Sequence, residues 1–301
     1  MMILQKMRPI GASLAFILGA IASPALADGH EDTADTIPGL SAKPMSALDL
    51  ITAPRLGSPT VTANGNYAVY SVTTTNPETF ERTPTHYLLD LTKEGAKPVA
   101  LDLRLDAYGL AFAKDDFLYF LSDDHLDEDV EVRTRLWRVA LEANGNVAGP
   151  MLVADRPGVD IGGFLIAPSA DKVALMALLP RDCPTFGCEP KEEPVGTGRL
   201  YEGDAGFFRH WDRWTKPGSF NRVFVFNMAD GKVAGEGTPI DGSEPTTGLT
   251  GNTPTNPFGG LGDVAWAPDG SGIYFVARET GAKEPTSTDL DIYYSDLSGS
   301  V

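Results

Sequence analysis

From Ala47 onward, short apolar runs rich in Val, Ile, Phe and Tyr alternate with turn-forming residues, and no amphipathic helix of ordinary length interrupts them. The clearest unit is Val264-Ala265-Trp266, the turn Ala267-Pro268-Asp269-Gly270, and Ile273-Tyr274-Phe275-Val276-Ala277. Pro fixes φ at the first turn position, Asp bonds back to the local backbone and Gly tolerates positive φ, so the chain reverses between two strands. Weaker copies lie at 61–70 around Asn64-Gly65, at 110–120 around Lys114-Asp115-Asp116, and at 164–175 around Pro168-Ser169-Ala170-Asp171. Four hairpins make a repeat.

Two further strands follow the first three hairpins. They fall at 87–91 and 98–103, at 135–140 and 149–154, and at 221–226 and 232–240, with Asn144-Gly145 supplying a turn within the second repeat. A four-stranded unit recurring about every 50 residues predicts propeller blades. The expected fold class is therefore all-β: a partial, about four-bladed, unclosed β-propeller of WD40-like or TolB-like repeats over residues 47–301. Residues 180–220 read as an insertion between the second and third strands of the third blade, the place where a compact repeat carries function. Residues 241–260 read as a surface connection. The fourth blade has only 291–297 after its hairpin, which reads as a ring begun and not closed.

The N-terminus adds an address. Lys6 and Arg8, an apolar run at 10–22 and Ala25-Leu26-Ala27 form the pattern of a signal peptide over residues 1–27, cleaved after Ala27, with an uncleaved anchor as the alternative. The mature protein is then expected in the periplasm or secreted, with a flexible leader at 28–46. The 24 basic against 41 acidic residues give a net charge of −17, which repels phosphate backbones and anionic membrane surfaces; nucleic acid and, after cleavage, membrane are excluded as partners. In an oxidising compartment Cys183 and Cys188 are expected to form a small local disulfide.

Several chemistries have no signature here. No serine sits in a Gly-x-Ser-x-Gly elbow, so no catalytic residue is assigned. His30, His86, His125 and His210 are scattered, no set of ligands has metal spacing, and no phosphate-cradling or dinucleotide fingerprint occurs, so neither metal nor cofactor is expected. The acidic run at 123–129 reads as a solvated hairpin tip and lacks the glycine of a calcium loop. Glu192-Glu193 reads as an exposed pair, with capture of a peptide amine as the alternative. The most distinctive stretch is Phe207-Phe208-Arg209-His210-Trp211-Asp212-Arg213-Trp214. Its aromatic and charged residues either line a ligand approach or cover a blade edge, with Arg209 and Asp212 paired.

Three stretches together resemble the N-terminal propeller of exported S9 (prolyl oligopeptidase family) serine peptidases, the bacterial dipeptidyl-peptidase and acylaminoacyl-peptidase type. They are 48–70 with Arg55-Leu56-Gly57-Ser58-Pro59, the Cys183–Cys188 pair followed by Arg209-His210-Trp211-Asp212-Arg213-Trp214, and Ala267-Pro268-Asp269-Gly270. The second is the specific one. The resemblance implies a complete enzyme that takes peptide substrates, with catalytic Ser, Asp and His in a C-terminal α/β-hydrolase domain that these residues do not reach. The chain alone is then expected to be inactive and to serve as part of the gate, with Arg209, His210, Trp211, Asp212 and Trp214 shaping the substrate approach. The competing expectation is a non-enzymatic periplasmic propeller similar to TolB-type binding proteins.

Overall fold

A computed structural model describes residues 44–124, 132–180, 183–188, 198, 208–215, 218–242, 249, 251–256, 259–278 and 286–298; the signal segment, Glu192-Glu193 and 125–129 of the acidic run lie outside them. Ala47–Val301 is one compact unit. It opens on a short helix, α1 (Ala47–Thr52), where the sequence suggested a direct run into the first hairpin. The Thr52 hydroxyl donates to the Leu48 carbonyl at 2.8 Å, and Pro54 prevents the helix from continuing.

The first sheet comprises β1 (Arg55–Leu56), β2 (Thr60–Val61), β3 (Tyr67–Thr75), β4 (Arg82–Asp90) and β5 (Val99–Leu101). Both β1 and β2 pair with β3, so its first strand is a single strand broken at Gly57-Ser58-Pro59. The break lets Gly57 donate to the Ser71 carbonyl at 2.8 Å, at a point where a Cβ would lie 2.2 Å from Ser71 Oγ. The second sheet runs β6 (Tyr108–Phe112), β7 (Phe117–Ser122), β8 (Arg135–Ala140) and β9 (Met151–Ala154). The third has β10 (Gly163–Ile166) and β11 (Lys172–Pro180), then a separate two-stranded hairpin of β12 (Arg209–His210) and β13 (Arg213–Trp214), then β14 (Ser219–Ala229) and β15 (Lys232–Pro239). The fourth, among the described residues, is β16 (Val264–Trp266), β17 (Ile273–Arg278) and β18 (Leu290–Ser295). Among the described residues the pairing within each sheet is antiparallel and runs in chain order, and no sheet closes on itself.

The repeat is visible atom by atom in the turn joining the first two strands of each sheet. Residue 62, 113, 167 or 267 accepts at its carbonyl from the N–H three positions on, and donates its own N–H across the turn to residue 67, 117, 172 or 272. The residue three positions on adopts positive φ in every case: Gly65 at 74°, Asp116 at 60°, Ala170 at 58° and Gly270 at 72°. Asn64, Asp115 and Asp269 each cap their turn by accepting from the N–H two positions on. Local chemistry therefore builds the same reversal four times.

Among the described residues, apolar side chains fill three seams, one between each pair of successive sheets. Val69, Leu88, Leu118, Phe120 and Trp137 fill the first; Tyr119, Leu136, Phe164, Phe224 and Phe226 the second; Val223, Ile240, Val264, Ile273 and Phe275 the third. Polar links cross each seam: the Phe112 N–H donates to Thr60 Oγ1 at 2.8 Å, the Thr134 N–H to Asp160 Oδ1 at 3.0 Å, and the Trp266 indole to the Leu165 carbonyl at 3.1 Å. Four antiparallel sheets stacked face to face through apolar seams are the blades of an open β-propeller.

Candidate functional site

An up-and-down sheet puts alternate connections on opposite edges, and here the two edges differ. One edge carries tight turns: 62–66, 113–116, 167–171 and 267–272, together with 91–98, 141–150 and 230–231. The other carries 76–81, 123–134, 181–218 and 279–289, plus the three connections that pass from blade to blade at 102–107, 155–162 and 240–263. The four longest connections between the described blade strands, 181–218, 240–263, 123–134 and 279–289, leave this second rim. Hydrogen bonds tie its connections to one another and to the strands beside them: the Asp106 N–H donates to Asp124 Oδ2 at 2.7 Å, Tyr108 and Thr134 share a hydroxyl contact at 3.0 Å, and the Thr253 N–H donates to the Asn221 carbonyl at 2.8 Å.

On this rim Asp155 lies against two arginines. Arg133 grips it through Nε at 2.6 Å and Nη2 at 3.0 Å, and buried Arg135 adds an Nε contact at 3.2 Å. Burial pushes the Asp155 carboxyl up, but the hydrogen bonds from Arg133 and Arg135 outweigh it and hold the group below the usual carboxylate range. The carboxylate is thus kept ionised where the chain leaves the second blade.

The third blade carries another ion pair, this one buried on both sides. Arg222 is 1% exposed at the start of β14 and reaches Asp241 through Nε at 3.2 Å and Nη2 at 3.0 Å. Its remaining donors reach the carbonyls of Cys183 and Gly242, and its guanidinium lies over the Phe224 ring at 4.9 Å. Such a pair is tolerated in an apolar seam because these donors and both carboxylate oxygens find partners. Cys183 and Cys188 are joined, with their Cα atoms 5.7 Å apart, and the short loop they close drives Phe186 into the seam edge-on to Phe224 and Phe226, each at 5.5 Å.

The hairpin β12–β13 pairs Arg209 with Trp214 and His210 with Arg213, leaving Trp211-Asp212 as a two-residue turn. Trp211 adopts φ 50°, a conformation costly for a bulky side chain. It is 69% exposed, Trp214 57% and Phe208 54%, so more than half of each residue faces solvent. Phe208 and Trp214 lie 5.9 Å apart, and the Arg209 guanidinium stacks over the Trp214 ring at 5.7 Å. The structure therefore brings Arg209, Trp211, Asp212 and Trp214 together with the His210 backbone on one small hairpin. Arg222, Asp241 and Phe186 were not singled out by the sequence; each lies in an apolar or loop context with no local signature.

No family model matches the chain. It is 27% identical over 242 residues to the dipeptidyl-peptidase 5 of Arthroderma otae, covering 76% of this chain and 30% of the relative. It is 26% identical over 253 residues to the dipeptidyl-peptidase 5 of Porphyromonas gingivalis, covering 82% and 33%. By sequence the chain is similar to these proteins named dipeptidyl-peptidase 5. It spans about a third of the length of these relatives. A solved structure similar in shape is the β-propeller domain of the Trilobed protease from Pyrococcus furiosus, at 10% identity and a TM-score of 0.34, covering 81% of this chain and 69% of that one. Matches to the dipeptidyl-peptidases 5 that take in 76% to 82% of 301 residues necessarily run through the bladed unit.

Proposed function

We propose that these residues form the access-controlling part of an exported S9-type peptidase that hydrolyses peptides, with bond cleavage carried by a domain other than the four blades. One observation carries this reading: in a chain related to dipeptidyl-peptidases, the four longest connections between the described blade strands leave one rim, and one of them bears an exposed aromatic and cationic hairpin. A rim built this way can sort incoming chains by contact before they reach a reacting group. The flat faces of Trp211 and Trp214 offer stacking surfaces to prolyl and apolar side chains, and Arg209 offers a donor to peptide carbonyls or a carboxylate. The 301 residues contain no nucleophile elbow, which supports assigning them access and not chemistry. The N-terminal basic and apolar pattern supports export.

The test uses the purified chain. It is expected to leave chromogenic dipeptides uncleaved while short peptides quench its tryptophan fluorescence, with the quench lost in Trp211→Ala. Turnover that survives stringent repurification, or fluorescence indifferent to every peptide, would overturn the reading.

A further inference from the structure

We propose that the Cys183–Cys188 disulfide is a redox-sensitive latch, opened by exchange with a dithiol, that holds Phe186 in the seam between the second and third blades. The inference stands apart from the peptidase reading. It begins from the size of the loop. A disulfide separated by five positions removes little freedom from the unfolded chain, so its stabilising effect is local. What it holds in place is out of proportion to that size. Phe186, 1% exposed, packs against two rings of β14, and the Cys183 carbonyl accepts from the buried Arg222 guanidinium. Arg222 in turn holds Asp241 and the Gly242 carbonyl, where the chain leaves the third blade for the fourth. One covalent bond thereby ties a loop, a seam and an inter-blade exit.

The two sulfur-bearing residues differ in access. Cys183 is 3% exposed, whereas Cys188 is half-buried, and its neighbour Gly187 is exposed. A dithiol thiolate therefore meets Cys188 first. Attack on Cys188 Sγ forms a mixed disulfide and breaks the Cys183–Cys188 bond, with the electron pair leaving on Cys183 Sγ. The second thiol of the reagent then displaces Cys188 as thiolate, so the dithiol is oxidised to a disulfide and its two protons end on the two cysteines. The thiolate first formed belongs to the residue whose own carbonyl accepts from Arg222. Once the loop is open, its backbone no longer forces Phe186 inward.

The experiment follows the intact chain by amide hydrogen exchange, far-UV circular dichroism and binding of an apolar dye, with and without dithiothreitol. Reduction is expected to speed exchange by about tenfold or more at residues 183–186 and 222–226 and to create dye binding. The β-sheet signal and exchange in the seam between the first two blades should stay unchanged, and oxidised glutathione should reverse the effect. The double variant Cys183→Ser/Cys188→Ser should show the reduced pattern under oxidising conditions. Phe186→Ala should bind dye while oxidised and gain nothing from dithiothreitol. Unchanged exchange at 222–226 after complete reduction, or collapse of the whole sheet signal, would overturn the latch and leave an ordinary structural disulfide.

Discussion

The indole N–H of Trp266 donates to the Leu165 carbonyl at 3.1 Å, joining the first strand of the fourth blade to the first strand of the third. Trp266→Phe keeps most of the ring in the third seam and removes only this bond. The expected loss is about 1 kcal/mol, the usual net worth of a neutral hydrogen bond. A urea titration read at blade-specific amides checks it: protection should fall first in β16 and β17.

The Arg222–Asp241 pair should respond very differently to single and paired changes. Arg222→Ala leaves a carboxylate buried and unpaired beside the second seam, and is expected to cost about 3–5 kcal/mol. The double variant Arg222→Met/Asp241→Leu removes both charges and should recover most of that loss. Chemical denaturation of the three variants decides the matter; equal instability of single and double variants would show that the charges themselves are not the cause.

His86 provides the pH dependence. Its Nε2 lies 3.0 Å from the Ala107 carbonyl, which can only accept, so Nε2 carries the proton and the buried Nδ1 has no hydrogen-bond partner. Burial lowers its pKa below the usual histidine value, against the raising effects of the Ala107 bond and Asp106. A cation disfavoured in the fold means that the unfolded chain takes up the proton first. Stability is complete above the ordinary histidine pKa of about 6.5, falls as pH drops through it, and stops falling below the depressed folded value. His86→Gln should flatten the slope over that window, measured as the denaturation midpoint against pH.

Trp211 sits at positive φ with its ring mostly in solvent. Trp211→Gly relieves a strained backbone and removes little packing, so stability should stay within about 1 kcal/mol of the parent. Peptide-induced quenching should disappear all the same. A large drop in the melting midpoint would instead mean that the ring holds the hairpin together.

The hairpin repeat was legible because Pro, Asp, Asn and Gly stand where each turn needs them, as at Asn64-Gly65 and Pro168-Ser169. The position of Ala170 in the left-handed region was not, since nothing about alanine signals it; the flanking turn bonds impose it. The break at Gly57 depends on Ser71, which lies on another strand. Of the candidate site, the aromatic stretch 207–214 was legible, but the exposure of Trp211 and Trp214 was not, because two tryptophans three apart read equally well as covering and as uncovered. Arg222 was illegible for a plainer reason. It directly precedes the apolar run Val223-Phe224-Val225-Phe226, and its partner stands 19 positions away beyond a whole strand.

The apolar interior comes in three parcels, each shared by two neighbouring blades. A molecule organised this way behaves as a short linear lattice of coupled units, in which a fault at one junction weakens the adjoining sheets and leaves distant ones standing. Its melting should therefore be staged, with midpoints that depend on which blade the probe reports, and damage confined to one sector need not forfeit the rest.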